Sequence, residues 1–158
     1  MQTPDLESIG RSAFITVNGV TDVPAKVDTG ADSSSIWASN IQEADGVLTF
    51  TLFGPESELH SAAQLTVPAG KYRLVTVYSS SGEAQERFKI ELPVTVEGRD
   101  MTARFTLADR KAMAYPVLLG RDFLDGTFLV DVSQGIEHHL HKSLMEQKHA
   151  RNADRERE

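Results

Sequence analysis

The strongest indications of the fold lie in two short segments, Val27-Asp28-Thr29-Gly30-Ala31-Asp32-Ser33 near the N-terminus and Val117-Leu118-Leu119-Gly120-Arg121-Asp122-Phe123-Leu124 far downstream. The first follows an apolar stretch and places an aspartate in a tight turn, directly before a small hydroxyl residue and a glycine. Glycine permits backbone geometry that other residues avoid, and turn amides can hydrogen-bond a carboxylate. Leu118 and Leu119 are suited to pack beneath such a loop. The two segments therefore predict a rigidly held carboxylate at Asp28 that another molecule can approach closely.

The rest of the body is predicted to consist of short β-strands separated by turns. Alternating or apolar runs predict strands over residues 13–17, 20–27, 47–53, 73–78, 84–96, 101–107, 115–119 and 127–132. Asn18-Gly19 is a strong two-residue hairpin signal, because both positions favour a positive φ. Pro93 predicts a sheet edge or a bulge, since proline donates no backbone hydrogen bond. No long helical pattern stands between strands, so the fold class is all-β.

The sequence divides into a body, residues 1–133, and a C-terminal tail, residues 134–158. In the tail Ile136, Leu140 and Leu144 recur at helical spacing, which predicts a helix over residues 136 to about 148 and a frayed end beyond it.

Composition excludes several classes of protein. The 158 residues are 40% hydrophobic and 25% charged, which is typical of one globular domain. A net charge of −7 argues against a nucleic-acid-binding surface, and no apolar run approaches the roughly 20 residues that span a bilayer. The N-terminus shows no signal peptide, so a cytoplasmic protein is expected. Without cysteine the chain has no disulfide, thiolate nucleophile or cysteine zinc ligand.

In the order and spacing of its motifs the chain resembles the retropepsin-like aspartic proteases. In particular it resembles the bacterial and archaeal family often called "ATP-dependent zinc protease". The segments that carry the resemblance are Ile9-Gly10-Arg11, Ala25-Lys26-Val27-Asp28-Thr29-Gly30-Ala31, Asp109-Arg110, Tyr115 to Arg121 and Phe128-Leu129-Val130-Asp131. They extend over roughly residues 9 to 133. The resemblance implies a closed, mostly antiparallel β-barrel with a short helix after Gly120 and a C-terminal helix.

The resemblance also implies roles for individual residues. Asp28 would be the catalytic carboxylate, Thr29 would support the loop against its symmetry mate, and Gly30 would contact the substrate backbone. Asp32 and Arg121 would form an ion pair. The supporting residues would be Ala31, Asp32, Leu118, Leu119, Gly120 and Arg121. The hairpin over residues 72–88 would be the flap that closes over the substrate, with its tip at Tyr78, Ser79, Ser80, Ser81 and Gly82. Residues 127–133 would build the dimer interface.

The mechanism implied is peptide hydrolysis without a covalent intermediate or a cofactor. Two Asp28 carboxylates, one from each subunit of a homodimer, would share one proton and activate a water molecule. The expected partners are a peptide or protein substrate and a second copy of the chain. The chain departs from the retroviral pattern by a longer stretch around residues 44–70, a serine-rich flap tip and the tail after residue 133.

Alternative interpretations remain at each motif. Asp28-Thr29-Gly30 is also compatible with an ordinary turn, Asp32 and Arg121 with two solvated charges, and Trp37 with core packing. The interpretation as a metallopeptidase rests only on the family's inherited name. The sequence has no His-Glu-x-x-His motif, and His60 stands alone. It also has no Gly-Lys-Ser/Thr loop that would bind the phosphates of ATP. His138, His139 and His141 fit a polar helix face better than a metal site. A catalytically silent, dimeric peptide-binding module is the main rival to a peptidase.

Overall fold

The computed structural model describes residues 6–60, 63–79 and 81–136, which are built almost entirely from β-strands. Their strands and helix in chain order are β1 (Glu7–Gly10), β2 (Ser12–Val17), β3 (Val20–Val27), β4 (Ser34–Ala44), β5 (Val47–Leu52), β6 (Gln64–Val67), β7 (Arg73–Tyr78), β8 (Ala84–Val96), β9 (Arg99–Ala108), β10 (Val117–Leu119), α1 (Arg121–Leu124) and β11 (Phe128–Asp131).

Six strands of the described chain close a barrel. Their order is β10-β3-β2-β8-β9-β4, and β4 pairs again with β10 to complete the circle. Most neighbours are antiparallel, as in β2–β3, β8–β9 and β4–β10. The predicted all-β barrel with a short helix after Gly120 is therefore confirmed.

Two parallel pairings bring the sequence motifs together. β10 runs parallel to β3 with Leu119 opposite Val27, and β4 runs parallel to β9. Because Val27 and Leu119 end their strands at the same level, the loop that begins at Asp28 and the turn at Gly120 lie side by side. The parallel register, which sequence periodicity does not reveal, is what assembles the site.

The barrel strands and their neighbours β1 and β5 share a continuous apolar core. Its largest fully buried side chains are Phe50, Phe53, Phe105, Ile9, Ile36, Leu48, Ile90, Leu119, Val17, Val23, Val96 and Val117. Burying each such side chain contributes about 1.5–3 kcal/mol. This core fixes β3, β4 and β10, and hence the loops that follow them.

The sequence analysis missed three strands, β1, β4 and β6. The end of β4 is nevertheless marked in the sequence by a turn dipeptide. Asp45-Gly46 joins β4 to β5, and its φ angles of 54° and 74° are those of a tight hairpin turn. β6 pairs with β5, so β5 and β6 extend the sheet beyond the barrel.

The turn predictions have mixed outcomes. Asn18 and Gly19 have φ angles of 48° and 83°, so the predicted hairpin turn is confirmed. Pro93 pairs with Thr102 of β9 in an unbroken register, so a bulge there is wrong. The predicted edge is not found either, because Pro93 pairs with β9 and its carbonyl also accepts a 2.9 Å hydrogen bond from the Asn18 amide, which follows β2.

The predicted C-terminal helix falls outside the described residues, which end at Ile136. The Ile136 amide donates a 2.8 Å hydrogen bond to Ser12 Oγ, which ties the end of the described chain to β2. The division into a body and a tail stays a prediction. Within the described ranges, no helix has the length and apolar character needed to cross a membrane.

Candidate active site

The loop after β3 presents the Asp28 carboxylate in a fixed orientation. The Asp28 amide donates a 2.9 Å hydrogen bond to the Leu119 carbonyl, which attaches the loop to β10. The Gly30 amide donates a 2.9 Å hydrogen bond to Asp28 Oδ1, and the Ala31 amide a 3.2 Å bond to the Asp28 carbonyl. Asp28 is half-buried, while Thr29 and Gly30 are exposed. The carboxylate is thus immobilised on one side and accessible on the other.

Gly120 lies against the backbone of this loop with no room for a side chain. A Cβ there would stand 2.4 Å from the Ser33 carbonyl oxygen and 2.9 Å from the Ala31 oxygen. The close approach lets Arg121 N donate a 2.8 Å hydrogen bond to Ala31 O. Leu119 below is fully buried, which agrees with its predicted place beneath the loop, and Leu118 is half-buried.

Arg121 reaches across the site and pairs with Asp32, as the sequence predicts. Its Nη2 contacts Asp32 Oδ1, and its Nη1 donates a 3.0 Å hydrogen bond to the Thr29 carbonyl. The Asp32 side chain is 90% exposed, so the ion pair by itself adds little stability. Its effect is geometric, because one guanidinium holds both Thr29 and Asp32. The role of this pair in catalysis stays a prediction.

Ser34, which the sequence analysis passed over, joins the two segments from below. It is fully buried, and its Oγ accepts a 2.9 Å hydrogen bond from the Gly120 amide and donates a 2.7 Å bond to Asp122 Oδ1. A serine in a run of three serines carries no sequence signal for burial. Its importance follows only from the position of β4 next to β10.

Arg110 is a buried cation close to Asp28. It is 8% exposed, and it donates hydrogen bonds of 2.9 Å to the Tyr115 carbonyl and 3.2 Å to Ser35 Oγ. Burial lowers the pKa of Arg110, the charge of Arg87 lowers this pKa further, and the Asp28 carboxylate raises it. Asp109-Arg110 was part of the resemblance, yet the sequence analysis gave it no role.

Arg87 brings a second guanidinium to the same place from β8. Its Nη1 lies 3.5 Å from Thr106 Oγ1, and Thr106 in turn donates a 3.3 Å hydrogen bond to the Ser34 carbonyl. Burial lowers the pKa of Arg87. Within the described part of the chain, neither Arg87 nor Arg110 forms an ion pair with a carboxylate. Two mutually repelling cations therefore lie close together, and one of them, Arg110, interacts with the candidate catalytic carboxylate.

The hairpin predicted as the flap is present as β7 and the first half of β8. Its tip is closed by a 2.8 Å hydrogen bond from the Ser79 amide to the Glu83 carbonyl and by Gly82 at a φ of 86°. Tyr78 is 71% exposed, and Ser79 and Ser81 join their hydroxyls at 2.8 Å. Ser80 lies outside the described residues. That this hairpin closes over a substrate stays a prediction.

A concave apolar surface borders the other side of the loop. It encloses about 580 Å³ and is lined by Leu6, Thr29, Arg121, Leu124, Asp125, Gly126, Phe128 and Val130. Leu129, between Phe128 and Val130 on β11, is 57% exposed. β11 pairs with β1 alone among the described strands, so its other edge is open.

The histidines considered as metal ligands, His138, His139 and His141, lie outside the described residues. Across residues 6–60, 63–79 and 81–136, no three histidine, aspartate or glutamate side chains converge as a metal site would require.

Comparisons with known proteins agree with this architecture. Two curated relatives, each named "Probable alpha-L-glutamate ligase", come from Desulfotalea psychrophila (30% identical over 117 residues, 72% of this chain) and Shewanella pealeana (31% over 120 residues, 73% of this chain). The chain matches only 25% and 26% of their lengths. A crystal structure of a Legionella pneumophila protein of unknown function is similar with a TM-score of 0.63 and 27% identity, over 82% of this chain and 95% of that one. The family model described as "Retropepsin-like aspartic endopeptidase RimB" matches residues 10–138, and the chain therefore belongs to the RimB-like family of retropepsin-like aspartic endopeptidases.

Proposed function

We propose that this chain is one subunit of a homodimeric aspartic endopeptidase whose active site contains Asp28 from each subunit. The observation that carries the proposal is the geometry of the loop around Asp28. A half-buried carboxylate is fixed by the Gly30 amide and by the bond from its own amide to Leu119, and its other side is open. An ordinary surface turn does not need this support from a second, distant segment.

The proposed reaction is attack of an activated water on the scissile carbonyl. One Asp28 carboxylate accepts a proton from water, while its protonated counterpart donates to the carbonyl oxygen. Two carboxylates at such close range share one proton, because like charges there do not both ionise. Asp28 stands in the single Asp-Thr-Gly of the sequence, so the proposed second carboxylate comes from a second chain.

The proposed dimer contact is the apolar surface beside Thr29. Leu124, Phe128 and Val130 line it, and the open edge of β11 with the exposed Leu129 lies next to it. A two-fold axis through this surface would bring equivalent residues together and set the two Asp28 loops side by side.

For the substrate we propose a peptide with glutamate side chains near the scissile bond. The two curated relatives are named as ligases of α-L-glutamate, and this chain covers about a quarter of each. Arg110 and Arg87 supply the matching chemistry, since Arg110 interacts with Asp28 and Arg87 with Arg110, and neither of these buried or half-buried guanidinium groups has a described ion-pair partner. A substrate carboxylate bound between them would relieve their mutual repulsion.

The peptidase proposal is tested by incubating the dimeric protein with a degenerate peptide library and identifying the products by mass spectrometry. Cleavage should persist in a metal chelator and stop with an inhibitor of aspartic proteases, because the dyad uses no metal. Activity lost to the chelator and restored by zinc would contradict the proposal.

A catalytically silent peptide-binding module is the second candidate, and the ligase name of the longer relatives favours it. In that case the library should bind to the protein and remain intact at every enzyme concentration. Measurement of binding and cleavage on the same peptides separates the two functions.

The proposed glutamate preference predicts a specific effect of Arg110. Wild-type protein should cleave a glutamate-containing peptide about 10- to 100-fold faster, in kcat/KM, than its glutamine counterpart, as expected for a charge-assisted hydrogen bond. Arg110→Met should abolish most of this preference while cleaving the glutamine peptide at a similar rate.

Two further variants make this result interpretable. Arg87→Met tests the half-buried partner, and Arg99→Met removes an exposed cation on β9 whose nearest carboxylate partner is Glu7 at 3.9 Å. The proposal requires a reduced preference in Arg87→Met and an unchanged one in Arg99→Met. An undiminished glutamate preference in both Arg110→Met and Arg87→Met would refute it.

A further inference from the structure

We propose a second binding site on this chain, a cationic groove on the outer face of β7, β8 and β9 that binds an acidic segment of the substrate away from the scissile bond. This inference rests on the proposed peptidase function for its biological meaning, but the binding itself is a separate property. The groove is defined here by Lys71, Arg73, Lys89 and Arg104.

The groove is a concave surface with an excess of positive charge. It encloses about 430 Å³, and its four cations face one lining carboxylate, Glu91. Glu91 is 3.9 Å from Arg104, and both side chains are about two-thirds exposed. Among the described residues Lys71, Arg73 and Lys89 form no ion pair. In a chain whose net charge is −7, such a local excess of cations is a distinct feature.

The pairing of β7 with β8 places two of these cations directly opposite each other. Arg73 and Lys89 are register partners in an antiparallel pair, so their side chains leave the same face of the sheet. Like charges in this position destabilise a sheet. An anion bound between them would remove the repulsion. The Arg73–Lys89 pair is therefore the proposed centre of the site.

Tyr72 forms part of the wall of the groove. The Glu43 carboxylate, as a hydrogen-bond acceptor and then as a negative charge, raises the pKa of Tyr72. Tyr72 packs edge-on against Phe88 with ring centroids 5.9 Å apart. Glu43 is not among the lining residues, so Glu91 is the one carboxylate in the groove, and it is paired with Arg104.

The groove continues the row of cations that begins at the candidate active site. Arg110 lies beside Asp28, and Arg87 interacts with Arg110 electrostatically. Lys89 follows Arg87 on the same face of β8, about 7 Å along the strand. An extended peptide with one carboxylate near Arg110 can therefore place further carboxylates over Arg87 and Lys89, since side chains on one face of a strand repeat at the same spacing.

An acidic peptide fits this arrangement better than a nucleic acid. The cations follow two paired strands at the spacing of alternate residues, and the carboxylate of Glu91 stands among them. A phosphate backbone carries a continuous negative charge and would approach Glu91 unfavourably.

The binding test uses the catalytically disabled Asp28→Asn dimer and a fluorescein-labelled hexaglutamate, followed by fluorescence anisotropy. Replacing Arg73 and Lys89 together by alanine should weaken hexaglutamate binding about tenfold, and the difference should disappear at 1 M salt, where exposed charges are screened within about 3 Å. Arg99→Ala on the same background is the matched control and should bind normally. Equal affinity of the double variant and the control would overturn the proposal, as would tighter binding of a single-stranded oligonucleotide than of hexaglutamate.

Cleavage kinetics with catalytically intact protein connect the groove to the active site. The Arg73→Ala, Lys89→Ala double variant should lose about tenfold more in kcat/KM on a peptide extended by an acidic segment than on the same short peptide without it. An equal loss on both peptides would indicate damage to the hairpin and would contradict a separate site. If no peptide is cleaved by the wild-type protein, the peptidase proposal fails, whereas the anisotropy experiment still decides whether the groove binds acidic peptides.

Discussion

Replacing Asp28 by asparagine is expected to lower kcat/KM for peptide cleavage by about 10²- to 10⁴-fold while the protein remains folded. Asparagine has nearly the same shape and keeps an oxygen that can accept the 2.9 Å hydrogen bond from the Gly30 amide. It cannot accept a proton from water, so the base of the proposed reaction is lost. Asp22→Asn is the matched control, because Asp22 is exposed and has a φ of 57°, which asparagine tolerates.

The same substitution tests whether two chains share one site. When equal amounts of wild-type and Asp28→Asn protein exchange subunits at random, only about a quarter of the dimers contain two intact carboxylates, against half before exchange. Activity should therefore fall by about half on mixing. If each chain had an independent site, mixing would change nothing. Specific activity should also rise with protein concentration around the dimer dissociation constant.

Gly120→Ala is expected to destabilise the protein by about 3 kcal/mol or more, or to prevent folding. The added Cβ would stand 2.4 Å from the Ser33 oxygen and 2.7 Å from the Ser33 carbonyl carbon, both of which are backbone atoms. Moving them would break the bonds that join the Asp28 loop to the end of β10. A loss of this size lowers the Tm of a protein of this length by roughly 6–12 °C.

The control for this prediction is Gly70→Ala, which separates steric conflict from backbone strain. Gly70 has a φ of 87°, and a Cβ added there would have no atom within 4 Å, so alanine costs about 1 kcal/mol through its backbone conformation alone. Gly120 has a φ of −96°, which any residue adopts. Thermal unfolding should therefore show a larger loss for Gly120→Ala. Equal losses would mean that the loop can yield and that the close packing at Gly120 is not essential.

Several parts of the molecule were predictable because their physics is local. The Asn18-Gly19 turn requires two positive φ angles, and asparagine and glycine are the residues that adopt them most readily. Apolar and polar residues alternate along β8 and β9 because one face of each strand is buried. Both strands were therefore predicted close to their observed bounds. β4 was missed because its start, Ser34 and Ser35, is buried and polar, so that no alternation marks it.

The sequence by itself determined the two motif segments and the all-β fold class, and the family resemblance added the pairing expected between Asp32 and Arg121. Only the tertiary structure placed Ser34 beneath Gly120, Arg110 near Asp28 and Arg87, and Arg73 opposite Lys89. The physical reason is that a turn or a strand depends on neighbouring residues, whereas these contacts depend on which strands become neighbours. The barrel closes through the parallel pairing of β10 with β3, and this closure decides which strands become neighbours. It brings together residues about 90 positions apart in the chain.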